Sequence, residues 1–480
     1  LPNHFQDRSK VQRGDLGIDY TMLFQHPNQQ QMIFPQLTGW GDGISNQLNA
    51  GFELNGTVYA KKTLPSVADN ISKVWKTHTA KFGFYWERTW NEQPGNAAVN
   101  GTAVFSNWGT NTSGNAYADM LIGQTTNYTE QNYDVVPAFR YLSTEFYGQD
   151  SWKASRKVTI DLGLRISHLG PWVDTTGYGF AAWYPDLYAQ NAGAPVPGDN
   201  TGKVFPGIQW HSANSSTPLS GSASRLAFYS PRLGAAWDIF GTGNTILRGG
   251  YGIYHFHDEQ NVQNGAYGIV RGSFASPTLN ASNTAGEWNG IISDLQPLTG
   301  SLAVPSSVQA LDPKDDQEPR TQDWSVTVAQ RAPWKSLIEV AYVGNKSDYL
   351  SNYNNNFYQI NDIPVGTLFS NGWTGSDYDS TVVQNARPLS AYGTLKIINH
   401  HMYSNYNGLQ ATWNKQQGRM IYMLNYTFSK ALGIRGESGA ATGDPTNLKN
   451  NYGTLPNNRP NIINAAYVYQ FPNLARNANP

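Results

Sequence analysis

With 480 residues, the chain is longer than the single hydrophobic core of an ordinary soluble domain, yet no shift in composition divides it into two or three parts. The formal net charge of −1 gives no reason to expect nucleic-acid binding, and the absence of cysteine excludes disulfides, thiolate metal sites and cysteine nucleophiles. No apolar run approaches the ~20 residues of a transmembrane helix, but a membrane barrel would escape that test because only alternate residues face lipid.

Alternation of apolar and polar residues with a period of two recurs along the chain and predicts β-strands. In 156–169, aliphatic residues occupy the even positions from Val158 to Ile166, and polar or small residues lie between them. The predicted strands are 66–75, 79–90, 139–152, 156–169, 228–239, 245–257, 321–330, 336–343, 403–414, 420–429 and 461–471. Less regular segments at 16–24 and 49–60 bring the total to about 11 to 13 strands. Segment 193–224, rich in Gly, Pro, Ser and Asn, is predicted to be a loop.

Short turns and long loops alternate along the chain. Turns of about two to five residues join the strands of each hairpin, whereas long polar segments join one hairpin to the next. The long segments are 91–137, 170–227, 258–319 and 344–402, and a further one begins at Lys430. All short turns therefore lie at one end of the strands and all long loops at the other. Short periplasmic turns and long extracellular loops are typical of an antiparallel, transmembrane β-barrel, so the fold class is predicted to be all-β.

The two faces of each predicted strand differ in chemistry. In 420–429, Leu424 and Tyr426 share an apolar face, whereas Asn425 and Thr427 share a polar face. We expect the apolar face to be convex and to meet lipid. The polar face, which includes Arg165, is expected to line a watery lumen with Asn, Gln, Thr and Ser side chains and scattered charge. The alternative is a soluble two-sheet sandwich that would bury Leu424 and Tyr426, but its strands average only about 5–6 residues.

Several segments, taken together and in order, resemble the Oar-like branch of TonB-dependent outer-membrane receptors. They are HTAKFGFYWERT (78–89), AYADMLIGQ (116–124), FYGQDSWKASRKVTIDLGLR (146–165), SPRLGAAWDIFGTGNTILRGGYGIYH (230–255), TQDWSVTVAQRAPWKSLIEVAYVGNKS (321–347), YNGLQATWNKQQGRMIYMLNYTFSKAL (406–432) and NNRPNIINAAYVYQFP (457–472). The resemblance implies a barrel of about 22 strands, closed by an N-terminal plug. It also implies a TonB box that contacts the inner-membrane motor, and a carboxypeptidase-regulatory-like domain ahead of the plug.

The ends of the chain bear on how much of such a receptor is present. The sequence begins LPNHF, without Met, and ends in the polar segment NLARNANP. We therefore expect residues 1–480 to be an internal part of the barrel domain, without plug, N-terminal domain or final strands, and with an incompletely closed wall.

Two clusters contain residue types that bind metals. The first is His255, His257, Asp258 and Glu259. Residues two apart on a strand share a face, so both imidazoles could approach one cation, although a strand end that opens into a polar loop has the same composition. The second is Asp312, Asp315, Asp316 and Glu318. It lacks the glycine and terminal glutamate of an EF-hand loop, which favours a solvated acidic loop. We assign no metal or cofactor to either cluster.

Nothing in the sequence predicts catalysis. It contains no G-x-S-x-G motif, and the glycine-rich stretch 248–252 lies inside a strand, where glycine is expected to bend the wall or leave room for a neighbour. Aromatic residues are abundant in the loops, where they would either stack on a ligand or pack the loops together. They are Trp108, Tyr117, Trp183, Tyr184, Trp210, Trp288 and Trp373.

The resemblance implies an outer-membrane receptor, not an enzyme, that takes up a bulky nutrient such as a peptide, glycan or chelate. Its partners would be outer-membrane lipid, the TonB energy-coupling complex and an extracellular ligand. Selectivity is expected in loops 91–137, 170–227, 258–319 and 344–402, because binding groups tend to lie on loops held by a rigid scaffold. Two alternatives remain open: a secreted β-protein that binds polysaccharide, and an outer-membrane scaffold or export factor.

Overall fold

A 15-stranded antiparallel sheet dominates the computed structural model. The structure describes residues 3–4, 20–24, 35–40, 59–92, 101–130, 138–195, 197, 204–257, 278–297, 307–352, 359–364, 366–370, 380–434 and 447–471. The long strands of the sheet are β1 (Ser66–Trp75), β2 (His78–Glu92), β3 (Ala138–Trp152), β4 (Val158–Leu169), β5 (Phe228–Asp238), β6 (Thr245–His255), β7 (Arg320–Ala332), β8 (Ser336–Leu350), β9 (Met402–Lys415), β10 (Met420–Ile434) and β11 (Asn461–Tyr469). The short ones are Asn3–His4, Tyr59–Thr63, Val173–Asp174 and Tyr452–Thr454.

The predicted strand order is confirmed, since β1 to β11 are hydrogen-bonded to one another in chain order. Each predicted strand from 66–75 to 461–471 corresponds to one of them. Several extend further than predicted at the loop end. Strand β8 continues to Leu350 and β10 to Ile434, because backbone pairing persists after the apolar alternation has stopped. The weaker predictions are tested only in part, because 16–19 and 49–58 lie outside the described residues. Residues 20–24 are not a strand, whereas residues 59 and 60 belong to Tyr59–Thr63.

The wall has an apolar convex face and a polar concave face, as predicted. Leu164, Leu424 and Tyr426 are exposed on the convex side. On the concave side, Arg165 donates a hydrogen bond to Glu145, at 2.9 Å. A sandwich would bury the apolar side chains, so this exposure rejects the soluble alternative. The wall is open, because β1 and β11 form its two ends and every residue of both strands is exposed.

The densest cores lie in the long loops rather than in the wall. One sheet joins three loops through the short strands Ile208–Gln209, Ala182–Trp183, Ser307–Leu311 and Thr394–Ile398. With the hairpin Gly193–Pro195 and Val204–Pro206, it surrounds a buried cluster, here called the three-loop core. Its members are Ala181, Trp183, Ala194, Phe205, Ile208, Trp210, Val308, Ala310, Tyr392, Leu395 and Ile397. Segment 193–224 was therefore wrongly predicted to be only a loop.

A second loop sheet contains Thr278–Asn280, Asn127–Thr129, Thr102–Phe105 and Gln36–Gly39. It packs against helix α1 (Ala116–Ile122), whose N-cap is Asn115: the Asn115 side chain accepts hydrogen bonds from the backbone N–H groups of Tyr117 and Ala118. The other described α-helices are α2 (Pro185–Ala189), α3 (Thr367–Ser370) and α4 (Ser380–Asn385). Within the described residues, no helix has both the length and the apolarity needed to cross a bilayer.

Candidate ligand-binding site

The concave face of the wall contains a cavity of about 580 Å³, here called the wall cavity. It is lined by residues of β3 to β9, and its charged members include Asp161, Arg232 and Asp323. A neighbouring cavity of about 330 Å³ shares Arg232 and continues towards Lys81. The two cavities share lining residues and together extend from β1 to β9. They are here called the polar depression, after the charged side chains in their lining.

Glycines make room for this depression. The run 248–252 lies in the middle of β6, and Gly250 and Gly252 line the wall cavity. A Cβ atom at Gly250 would lie 3.3 Å from the carbonyl oxygen of Leu233, and one at Gly252 would lie 2.9 Å from the ring of Tyr254. The glycines therefore allow close approach of β5 and let the Tyr254 ring lie along the wall, as expected for glycine inside a strand.

The wall cavity presents both signs of charge. The Arg232 guanidinium lies 4.6 Å from the ring centroid of Tyr254, a cation–π geometry that orients the cation along the concave face. The Nε atom of Arg232 is buried and has no hydrogen-bond partner among the described residues. The side chain of Asn345 donates a hydrogen bond to Asp323. This arrangement can bind a polar ligand with charged groups. The scattered charge that was expected on this face of the strands is present in the lining of the wall cavity.

A hydrogen-bonded cluster at the loop end of the wall anchors one long loop. The Glu87 carboxylate accepts hydrogen bonds from the hydroxyl groups of Tyr85 and Tyr141. The ring of His257 lies 4.1 Å from that of Tyr141, and its Nδ1 atom is 4.0 Å from Glu318. Because His257 and Glu318 lie at opposite ends of loop 258–319, this cluster holds both ends of the loop against the wall.

The structure separates the two histidines of the first candidate metal cluster. The Nδ1 atom of His255 lies 3.0 Å from the Ser230 hydroxyl, whereas His257 packs on Tyr141. Asp258 and Glu259 lie outside the described residues. Among the residues that are described, no group of three or more histidines and carboxylates is placed to hold a metal ion.

The acidic segment that was the second candidate cluster connects loops to one another. Asp315 accepts hydrogen bonds from the backbone N–H and the ring of His400, both at 2.8 Å. Asp316 forms a two-point ion pair with Arg225, with distances of 2.8 and 3.1 Å. These contacts join loop 258–319 to loops 344–402 and 170–227, so the segment is structural and not the solvated loop that was expected.

The Asp315–His400 contact predicts a pH-dependent stability of the loops. Burial alone would raise the pKa of Asp315, but the hydrogen bonds and charge of His400 lower it. A carboxyl group whose pKa is lowered by folding stabilises the folded loops. This stabilisation is fully present above the pKa in the unfolded state, about 3.9, and is lost as the pH falls through the lower pKa in the folded state. At neutral pH, Asp315→Asn should therefore cost about 1–3 kcal/mol of local stability. Amide hydrogen exchange of 394–400 measures this loss, and the difference from wild type should shrink below pH 4. Asp312→Asn is the control, because Asp312 accepts a hydrogen bond from Lys314 within its own turn.

The loop aromatics mostly pack the loops together, which answers the question the sequence left open. Trp183 and Trp210 belong to the three-loop core, and Tyr117 stacks on Trp40 with 4.9 Å between ring centroids. The indole N–H of Trp288 donates to the carbonyl oxygen of Ile291. Trp108, in contrast, is 64% exposed and remains available to a ligand. Trp373 lies outside the described residues.

Comparison with known families agrees with this architecture. Residues 3–479 match the family described as "Outer membrane beta barrel domain". The chain belongs to the outer membrane β-barrel family. Its location is therefore the outer membrane, and its exposed convex face is the surface that meets lipid.

Solved structures with a similar arrangement of strands include outer-membrane transporters and receptors. They include the outer membrane transporter YddB from Escherichia coli, with 9% identity over 83% of this chain and 38% of that chain, at a TM-score of 0.40. The siderophore receptor PiuA from Acinetobacter baumannii has 11% identity over 86% of this chain and 44% of that chain, at a TM-score of 0.41. This outer membrane β-barrel chain thus spans about two fifths of their length. No curated protein matches it.

Proposed function

We propose that this outer membrane β-barrel protein is part of a TonB-dependent receptor, of the Oar-like type, that imports a bulky nutrient such as a peptide, glycan or chelate. The observation that carries the proposal is the polar depression on the concave face, with Arg232 and Asp323 in it, beside folded loops at one end of a lipid-exposed wall. A barrel that only holds water in its lumen does not require its long loops to fold into a packed core. A receptor that selects its ligand does, because the binding groups on the loops must be held in defined positions. We propose no catalytic role.

The open wall supports the proposal that residues 1–480 form part of a larger barrel. Among the described residues, strands β1 and β11 each pair on one side only, with β2 and β10 respectively. Unpaired strand edges are not tolerated in hydrocarbon, because no water is present to satisfy their backbone groups. Additional strands would close the wall, and a plug would occupy the lumen beside the concave face.

An outer-membrane scaffold or export factor remains the rival function. It would have the same wall and the same convex lipid face, but it would not require the TonB complex. The complete gene product in its native outer membrane separates the two. Uptake of a panel of labelled peptides, oligosaccharides and metal chelates should include at least one compound whose accumulation is lost when TonB is deleted. Unchanged accumulation of every compound without TonB would contradict import.

Ligand selectivity is expected to follow the loops. Exchange of 170–227, 258–319 and 344–402 together for the corresponding loops of a related receptor should change which labelled compound is bound, because these loops jointly form the three-loop core. They should be exchanged as a set, since a single foreign loop would leave that core unfilled. Thr412→Ala and Thr427→Ala are controls on the wall and should change binding less than about twofold, within the ±0.5 kcal/mol of ordinary surface substitutions. Intact binding after loop exchange, with loss in a wall variant, would contradict the assignment.

A further inference from the structure

The convex face changes from apolar to charged residues where the strands extend beyond the lipid-exposed band. On β8, the exposed apolar residues Ile338, Val340 and Tyr342 point outward, and Lys346 follows on the same face. Lys346 is four residues beyond Tyr342, about 13 Å further along the strand. On the neighbouring strand β7, the Trp324 ring lies over Gly344, where it occupies the space that a Cβ atom would need. Trp324 is therefore on the outward face, at a height between Tyr342 and Lys346. Tryptophan is enriched at the interface between hydrocarbon and water, so Lys346 lies at the level of lipid headgroups.

A groove of about 560 Å³ opens on the convex face at this level, here called the headgroup groove. Its lining includes Trp324, Lys346, Tyr403, Asn405, Lys449 and Tyr452. The rings of Tyr403 and Tyr452 stack with 5.7 Å between centroids, and the Tyr452 hydroxyl donates a hydrogen bond to Asn405. These contacts fix one side of the groove, so the groove is part of the folded wall.

Positive charge predominates around the headgroup groove. Arg320, Lys346 and Lys449 lie in or beside it, and Lys430 follows the exposed Phe428 on the outward face of β10. Asp348 forms ion pairs with Lys346 and Arg320, at 2.9 Å each. In the part of the chain that the structure describes, no ion pair of Lys430 or Lys449 with a carboxylate is seen, so the charge of these two lysines is not neutralised there.

Unused hydrogen-bonding capacity remains among these cations. The Nε atom of Arg320 is buried without a hydrogen-bond partner in the described part of the chain. Lys430 and Lys449 are exposed, and neither has an ion pair with a carboxylate among the residues described. Cations with unused hydrogen-bond donors are suited to bind a ligand with several anionic oxygen atoms. Phosphate is such a group, because it combines negative charge with several hydrogen-bond acceptors.

We propose that the headgroup groove binds the phosphate of an anionic lipid in the leaflet on the loop side of the membrane. The apolar band directly beneath the groove, with Tyr342, Leu409 and Phe428 exposed, would receive the acyl chains of the same lipid. A free phosphate would use the cations but not this band, which is why the lipid is the occupant. The proposal rests on the membrane location of the chain and is independent of nutrient import.

The test uses the complete gene product in detergent micelles, with lipid binding measured by native mass spectrometry and by competition with a fluorescent lipid. The probes are lipid A with two phosphates, the same lipid after removal of both phosphates, and inorganic pyrophosphate alone. The doubly phosphorylated lipid should bind in preference to the dephosphorylated one. The double variant Lys430→Gln with Lys449→Gln should weaken its binding about tenfold or more, since each basic residue near a membrane surface contributes about 1 kcal/mol.

Lys415→Gln is the matched control, because Lys415 lies on the outward-facing register of β9 at the opposite, turn end of the wall. It should leave binding unchanged, and thermal unfolding should show that all variants remain folded. Equal binding of the phosphorylated and dephosphorylated lipids, or an equal effect of Lys415→Gln, would overturn the phosphate site. Binding of pyrophosphate as tight as that of the phosphorylated lipid would overturn the lipid assignment.

Discussion

Val340→Arg should destabilise the membrane-inserted wall by about 2–4 kcal/mol, whereas Ala341→Arg, one residue along, should cost much less. Val340 lies on the convex face in the middle of the apolar band of β8, is 42% exposed, and pairs with Val328 and Ala411. An arginine there would bring its guanidinium into hydrocarbon. Ala341 occupies the concave face between Thr327 and Gln410, where an arginine would reach the polar depression.

The measurement is urea unfolding of the complete protein in lipid vesicles, followed by tryptophan fluorescence. The two variants introduce the same side chain into the same strand. Valine has a higher β-propensity than alanine, but that scale spans only about 1 kcal/mol, which is less than the expected cost of an arginine in hydrocarbon. If Ala341→Arg were as costly as Val340→Arg, or costlier, the assignment of the two faces would be wrong. A third variant, Lys346→Ala, changes an outward residue of the same strand outside the apolar band and should change the free energy of unfolding only slightly.

The faces and order of the strands could be predicted because the membrane imposes them residue by residue. Leu424 and Tyr426 face lipid, whereas Asn425 and Thr427 face away from it, so the sequence of 420–429 alternates between apolar and polar residues. The turns were predictable for a local reason too. The turn between β9 and β10 contains Gly418, whose φ of 92° lies in the left-handed region that glycine adopts without strain.

Strand ends at the loop side were not predictable from alternation. Beyond Tyr342 the outward positions of β8 carry Gly344, Lys346 and Asp348, so the apolar signal stops where the hydrocarbon stops. The strand continues because its neighbour continues, and hydrogen bonds to β7 extend to the pair of Arg320 with Asp348. The alternation of apolar and polar residues thus shows which part of a strand faces hydrocarbon, whereas the hydrogen bonds to neighbouring strands determine where the strand ends.

The loop sheets escaped prediction because their strands are too short to show a period. Ile208–Gln209 has two residues and pairs with Ala182–Trp183, which is distant in sequence. Their core forms only when three loops meet, as in the parallel pairing of Ser307–Leu311 with Thr394–Ile398. The candidate site follows the same rule. The inward positions of Arg232 and Asp323 can be read from each strand, but their convergence in one cavity depends on sheet curvature, which alternation does not encode.

Trp210→Ala should unfold the three-loop core while leaving the wall intact. Trp210 is fully buried and packs edge-to-face on Phe205, with 6.4 Å between ring centroids. Removal of a buried tryptophan typically costs about 3–5 kcal/mol. A small core assembled from loops has few other contacts to compensate, so the sheet that contains Ser307–Leu311 should open. Hydrogen exchange should show lost protection at Leu311, whose N–H donates to the carbonyl oxygen of Ala181, but no change in β7 to β10.

Two further variants identify the cause of that loss. Trp108→Ala removes an exposed loop tryptophan and should leave protection at Leu311 unchanged, although it can still affect ligand binding. Trp210→Phe keeps a ring in the core and removes the indole N–H, which is buried without a hydrogen-bond partner in the described residues. It should therefore cost less than Trp210→Ala, since the void is smaller and an unsatisfied donor is removed. Retained protection at Leu311 in Trp210→Ala would mean that the loops are held by their contacts with the wall, such as Glu318 with His257, and that the three-loop core does not position the entrance.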